Sequence, residues 1–202
     1  MSTMYSVGQM NQLGDSLEAW EFSADDVTKL RSFSDGAALK SVVNGLAKIV
    51  PQFLRKVTTV SVFCAKKFVA KDQLQAANIG WTNSNFDKFF LNKVEENVGD
   101  TTLAVHRLEK GSKDSMIRTE LGDRAEIQLA HFFELLKKQS KGEEGRLLVN
   151  GYANIAYIIG NDGNLWAVLA LWFSAFRCWA VLACSVESPA EWAAGRQVLS
   201  RD

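Results

Sequence analysis

Apolar residues recur at three- and four-residue steps at the start of the chain, where Met10, Leu13, Leu17 and Trp20 would line one face of a helix. A second helix is signalled by Ser23-Ala24-Asp25-Asp26, a capping residue with acids in the first turn, ahead of Val27, Leu30 and Phe33. A third, capped by Ser34 or Asp35, carries Leu39, Val42, Leu46 and Ile49 until Pro51 ends it. The pattern predicts an N-terminal helical segment over residues 1–50.

Beyond Pro51 the period shortens. Val57 to Phe63 (VTTVSVF) is rich in β-branched residues between Arg55-Lys56 and Lys66-Lys67 and predicts a strand, as does Leu103 to Leu108. Asn85 to Val98 fits either strand or helix. Asp123 to Gln139 predicts an amphipathic helix with Ile127, Leu129, Phe132, Phe133, Leu135 and Leu136 on its apolar side. Ser140 to Gly145 is a loop. Leu147 to Ile159 then runs into Gly160-Asn161-Asp162-Gly163-Asn164, turn chemistry between apolar runs that signals a hairpin. Two partner strands follow, Leu165 to Phe173 and Cys178 to Val186, joined by Ser174 to Arg177. The expected class is α+β: N-terminal helices, then a C-terminal antiparallel-sheet domain over residues 51–202.

Leu165 to Val186 is the most unusual stretch, twenty-two residues in which Arg177 is the only charge. It is long enough to cross a membrane, which takes about 18 apolar residues, and sixteen residues after it would suit a tail anchor at 165–186. Against that, Arg177 near its middle would cost roughly 2.5–3.5 kcal/mol to insert, and Trp166, Trp172 and Trp179 are spread through the segment instead of marking its ends. The other two readings are a pair of buried strands and a surface whose residues were not chosen one by one for folding.

Composition excludes more than it selects. With 202 residues the chain can bury roughly 70% of its unfolded surface, and 23 basic residues balance 23 acidic ones, so no overall field points to nucleic acid or acidic lipid. The one basic segment, 40–71, interleaves Phe53, Phe63 and Phe68 with lysines and arginines; it is the alternative nucleic-acid footprint, and a solvated basic face is its plainer reading. Cys64, Cys178 and Cys184 form no CxxC and suggest free thiols. The first fifteen residues have neither the basic nor the apolar region of a signal peptide, so the expected location is the cytoplasm. His106 and His131 lack a second ligand at metal spacing and read as surface or half-buried histidines. Asp25-Asp26, Glu95-Glu96 and Glu143-Glu144 suit solvation or helix capping, and Lys110-Gly111-Ser112-Lys113 suits a turn. With no nucleophile or phosphate-loop motif, the chain is expected to be no enzyme and to need no cofactor or metal.

The tail carries a more specific signal. WFSAFRCWAVLACSVESPAEWAAGRQVLSRD, about residues 172–202, resembles the variable region of proteins targeted by diversity-generating retroelements in candidate-phyla bacteria and their relatives, and VGQMNQLGDSLEAWEFSADDVTKLRSF looks like the N-terminal segment of proteins with such tails. In that family a reverse transcriptase miscopies template adenines, and AAC codons diversify within a fixed frame. The resemblance implies a frame of Trp179, Val181, Ala183, Ser185, Val186, Pro189, Trp192, Gly195, Gln197, Val198, Ser200 and Arg201. It implies variable, ligand-binding positions at Phe173, Ser174, Ala175, Phe176, Arg177, Cys178, Ala180, Leu182, Cys184, Ser188, Ala190, Ala193 and Arg196. An AAC codon changed only at its adenines cannot encode Trp, Glu, Gln, Lys or Met. All thirteen positions obey that rule, while Trp179, Glu187, Glu191, Trp192 and Gln197 fall elsewhere. Ala180, Leu182 and Cys184 alternate with Val181, Ala183 and Ser185, so one strand would put variable side chains on one face and fixed ones on the other. Known members of the family have a C-type lectin-like fold, which is the fold implied here. The implied activity is display of a hypervariable surface, and a patch of Phe173, Phe176, Leu182 and Cys184 rimmed by Arg177 and Arg196 suits an unknown protein ligand.

Overall fold

The computed structural model describes residues 6–19, 23–25, 52–64 and 66–202. The chain divides into two units, Met1–Val50 and Pro51–Asp202. In the first, the described helix is α1, Val7–Ala19, where the first periodic run predicted one. The third predicted helix, most of the second, and the basic segment as far as Pro51 lie outside the described residues.

The second unit is α+β. Its strands are β1 (Leu54–Val62), β2 (Lys67–Val69), β3 (Ile79–Thr82), β4 (Val94–Glu96), β5 (Thr101–Leu108), β6 (Asn154–Ile159), β7 (Leu165–Phe173), β8 (Cys178–Ser185) and β9 (Gln197–Arg201). Its helices are α2 (Ala70–Gln73), α3 (Ser84–Phe89), α4 (Asp114–Leu121) and α5 (Leu129–Lys138). Seven strands form one sheet in the order β1-β5-β9-β6-β7-β8-β3, and β2 pairs with β4 apart from it. The sheet corrects the expectation of an antiparallel one, because β6 runs parallel to β9 and β3 parallel to β8. Short turns make β6, β7 and β8 an antiparallel meander. Of the strands that flank this meander, β3 comes from a distant part of the chain and β9 reaches the far side through the segment 186–196 after β8, so no tight turn dictates the direction of either.

Both faces of the central strands are covered. On the first face Ala156 and Ile158 of β6, Val168, Ala170 and Trp172 of β7, and Trp179, Val181 and Ala183 of β8 pack with Phe132, Phe133 and Leu136 of α5 and with Phe68, Phe86 and Phe90. On the second face Ile155, Tyr157, Ala167, Leu169 and Val198 meet Ile117 and Leu121 of α4. Strands buried on both sides read as continuous apolar runs instead of alternating ones. That accounts for the composition of Leu165 to Val186, which is a hairpin here and not a helix. No helix among the described residues is long and apolar enough to cross a membrane.

The helix predicted over Asp123 to Gln139 is shorter than expected. Gly122–Arg124 is a single 3₁₀ turn, and Ile127 donates its N–H to Tyr157 O at 3.0 Å, joining that stretch to the sheet. The helix starts only at Leu129, where the buried Glu95 carboxylate accepts the N–H groups of Leu129 (3.0 Å) and Ala130 (2.8 Å). Glu95 thus caps a helix remote in sequence, placing a negative charge where the helix's unpaired donors converge. At the other end of α5, Trp179 Nε1 donates to Gln139 O at 3.1 Å. Gly142, at φ +71°, lies so close to Trp172 that a Cβ there would fall 2.1 Å from the indole. Trp172 and Trp179 meet edge to face at 5.3 Å between centroids.

Candidate functional site

The tail's positions divide between the two sheet faces. Trp179, Val181 and Ala183 each point into the first core with 0% exposure. Cys178, Ala180, Leu182 and Cys184 alternate with them and face the second side, where Phe173 stands opposite Cys178 and Leu171 opposite Ala180. Leu182 and Cys184 are half-buried against the second cluster, and Phe173 is 40% exposed. Ala180 departs from the expectation for a displayed position, with 0% exposure. A methyl group set between the larger Leu171 and the bulky Trp81, its partners in the adjoining strands, is covered by its neighbours.

The four-residue turn at the end of the β7–β8 hairpin carries the most exposed members. Phe176 is 78% exposed, and Ser174, Ala175 and Arg177 are exposed beside it. Arg177 adopts φ +51°, a left-handed conformation uncommon outside glycine. The Asn78 side-chain amide donates to Arg177 O at 2.8 Å and to Ser140 O at 2.6 Å, tying the turn to the loop after α5. Ser188, Ala190, Ala193 and Arg196 lie in the segment between β8 and β9, whose Val186 and Trp192 pack on the second face. The thirteen positions therefore gather along the second face, at its hairpin end and along its flanking loop.

Asp114 holds that loop in place. Its Oδ1 accepts Trp192 Nε1 and Tyr157 Oη, each at 2.7 Å, and the backbones of Ser112 and Trp192 exchange hydrogen bonds of 3.0 and 2.9 Å. Burial pushes the Asp114 carboxyl above its ordinary range, opposed by its hydrogen bonds from Trp192 and Tyr157 and by the charge of Arg118. Burial, then the Asp114 charge, raises the Cys184 thiol, which favours an unreactive protonated sulfur. Arg196 lies over the Trp192 ring, its guanidinium carbon 5.6 Å from the centroid. Trp192 is half-buried, packed on the second cluster on one side and under Arg196 on another. Ser185, a frame position, is exposed where β8 ends.

Other candidates are structural. His106 and His131 are both buried, where a surface or half-buried setting was expected. His106 Nε2 pairs with Ser200 Oγ at 3.0 Å and His131 Nε2 with Gly99 O at 2.9 Å. Burial, then the charges of Arg124 and Lys56, draws the His106 pKa down to about 4. In the described part of the basic segment, Arg55 pairs with Glu109, Lys56 with Asp202 and Lys67 with Glu96. Phe68 is core, Phe53 is half-buried and Phe63 is exposed. No group of three metal-ligating side chains occurs among the described residues, whose cysteines are free. Sequence reasoning missed Asp114, whose partners are 43 and 78 residues away. It also missed Trp81, in a run of four residues too short to show a period.

No family model, curated protein or solved structure matches this chain.

Proposed function

We propose that the chain is a ligand-binding protein of the diversity-generating retroelement type, which acts by display and not by catalysis. One observation carries the proposal: the candidate variable positions of β7 and β8, Phe173, Cys178, Ala180, Leu182 and Cys184, share one face of the sheet and the others lie in the adjoining turn and loop, while the opposite face holds frame residues Trp179, Val181 and Ala183 at 0% exposure. A protein diversified at fixed codons needs such a separation, since changes on the displayed side then leave the packed core alone. The C-type lectin-like assignment and a cytoplasmic location belong to the same proposal. Its ligand is a protein, because exposed Phe173 and Phe176 with Arg177 and Arg196 supply apolar area and guanidinium groups together.

The genomic test is the flanking DNA, in which a near-repeat of the tail's coding sequence, differing only at adenines, should lie beside a reverse transcriptase gene. The protein test replaces all thirteen positions with another set that AAC-derived codons can encode. The exchanged protein should fold, melt within a few degrees of the original and keep its oligomeric state. A collapse of folding would show that the tail is ordinary core and defeat the proposal.

A further inference from the structure

The candidate surface includes a large residue that lies outside the tail and whose identity variation there would leave unchanged. Trp81 belongs to β3, the edge strand of the seven-stranded sheet, and is 50% exposed. In the parallel β3–β8 ladder it stands opposite Ala180, on the face that also carries Leu182, Leu171 and Phe173. The bulge between Ile79 and Trp81 makes this possible: Ile79 packs on the first core, and the register shift turns Trp81 to the other face. Gly80 seats the strand closely, since a Cβ there would fall 2.6 Å from Cys178 Sγ. Ala180 has no side chain large enough to cover the indole. Backbone irregularity, close strand approach and a small neighbour thus combine to place a large aromatic residue on this face, half in solvent.

Resting on the display reading above, we infer that Trp81 is a constant anchor of the binding surface. It contributes burial to every protein ligand while the variable positions choose among ligands. A tryptophan held by a sheet loses little conformational freedom on binding, and tryptophan is enriched among residues that dominate interface energies. For the tail carried here, the occupant is a protein segment with an apolar side chain to cover Trp81, Leu171 and Phe173 and a carboxylate for Arg177; other tails keep only the contact with Trp81. Arg177 is exposed and has no ion-pair partner among the described residues. The same charge makes a second copy of this surface a poor occupant, because it would set Arg177 against a like charge.

The test uses the full chain with the thirteen positions randomised among AAC-derived codons and selected separately on hen lysozyme and serum albumin. Binders to each are then compared with Trp81, Trp81→Phe and Trp81→Ala. The expected result is a loss of about tenfold or more in affinity for both targets on Trp81→Ala, and about threefold or less on Trp81→Phe. Oxidative footprinting of the selected binders with Trp81 intact, which needs no Trp81 variant to fold, should show Trp81 protected in both complexes. Binders that keep their affinity in Trp81→Ala, or leave Trp81 open to oxidation, overturn the anchor and leave the display reading standing. A library that yields no binder overturns both.

Discussion

The two faces of the β7–β8 hairpin are built from similar residues and meet different fates. On the first face Trp172, Trp179, Val181 and Ala183 lie beneath α5 and the phenylalanines of the surrounding helices, with the Trp179 indole N–H satisfied by Gln139 O. On the second, α4 and the loop after β8 cover the sheet as far as Leu169 and Cys184, while Phe173 and Trp81 stay partly in water. Hydrophobicity therefore does not separate core from surface in this segment; the reach of the covering helices does. A short helix on one side leaves an apolar margin, and large apolar margins on protein surfaces are where partners bind.

The largest effect should come from the covered face. Trp179→Ala should cost about 3–5 kcal/mol in a denaturant titration, since it empties a fully buried site and removes one of the two donors to Gln139 O. A cost no greater than that of a hairpin-end substitution would erase the distinction between the faces. Next comes acid sensitivity at His106. Its pKa falls from 6.5 in the unfolded chain to about 4 in the folded one, so the unfolded chain binds more protons between those values. Stability should be complete above pH 6.5 and fall as the pH drops to 4, by roughly 3 kcal/mol for a shift of that size. Denaturant midpoints across that range should show the slope, and His106→Gln should flatten it. Asp114 acts with the opposite sign, since its raised pKa gives stability that is present below 3.8 and lost as the pH climbs through the folded value.

Asp114→Ala should be the next largest change, about 2–3 kcal/mol, because Tyr157 Oη and Trp192 Nε1 lose their acceptor together. Faster amide exchange between Val186 and Arg196 should accompany it; unchanged exchange there would mean that the Ser112–Trp192 backbone pair holds the loop alone. The smallest effects belong to the hairpin end and to the half-buried positions of β8. Phe176→Ser should change stability by no more than about 0.5 kcal/mol, being an exposed turn position. Leu182→Asn, half-buried against the second cluster, should cost about 1 kcal/mol. Equal and large losses at both would place the second face among ordinary cores.

Much of the second unit was legible in local pattern. β1, β5, β7 and β8 fall where apolar and β-branched runs and the Gly160 to Asn164 turn place them, β6 takes up only the second half of the run from Leu147 to Ile159, and Ser174 to Arg177 forms the predicted connection. These elements depend on residues within a turn or strand of each other, which a sequence displays directly. The alternation of Trp179, Val181 and Ala183 with Leu182 and Cys184 was readable for the same reason, because a strand's period is two. Non-local packing decided the rest. The start of α5 depends on Glu95, thirty-four residues upstream of Leu129, and the parallel pairings of β9 and β3 depend on distant connections. Whether the second side of the hairpin is core or margin depends on how far α4 extends, whereas Ala180, apolar and small in the sequence, is buried because Trp81 and Leu171 flank it. Periodicity states which residues share a face, but burial is a property of whatever lies on top, and here that came from the other end of the domain.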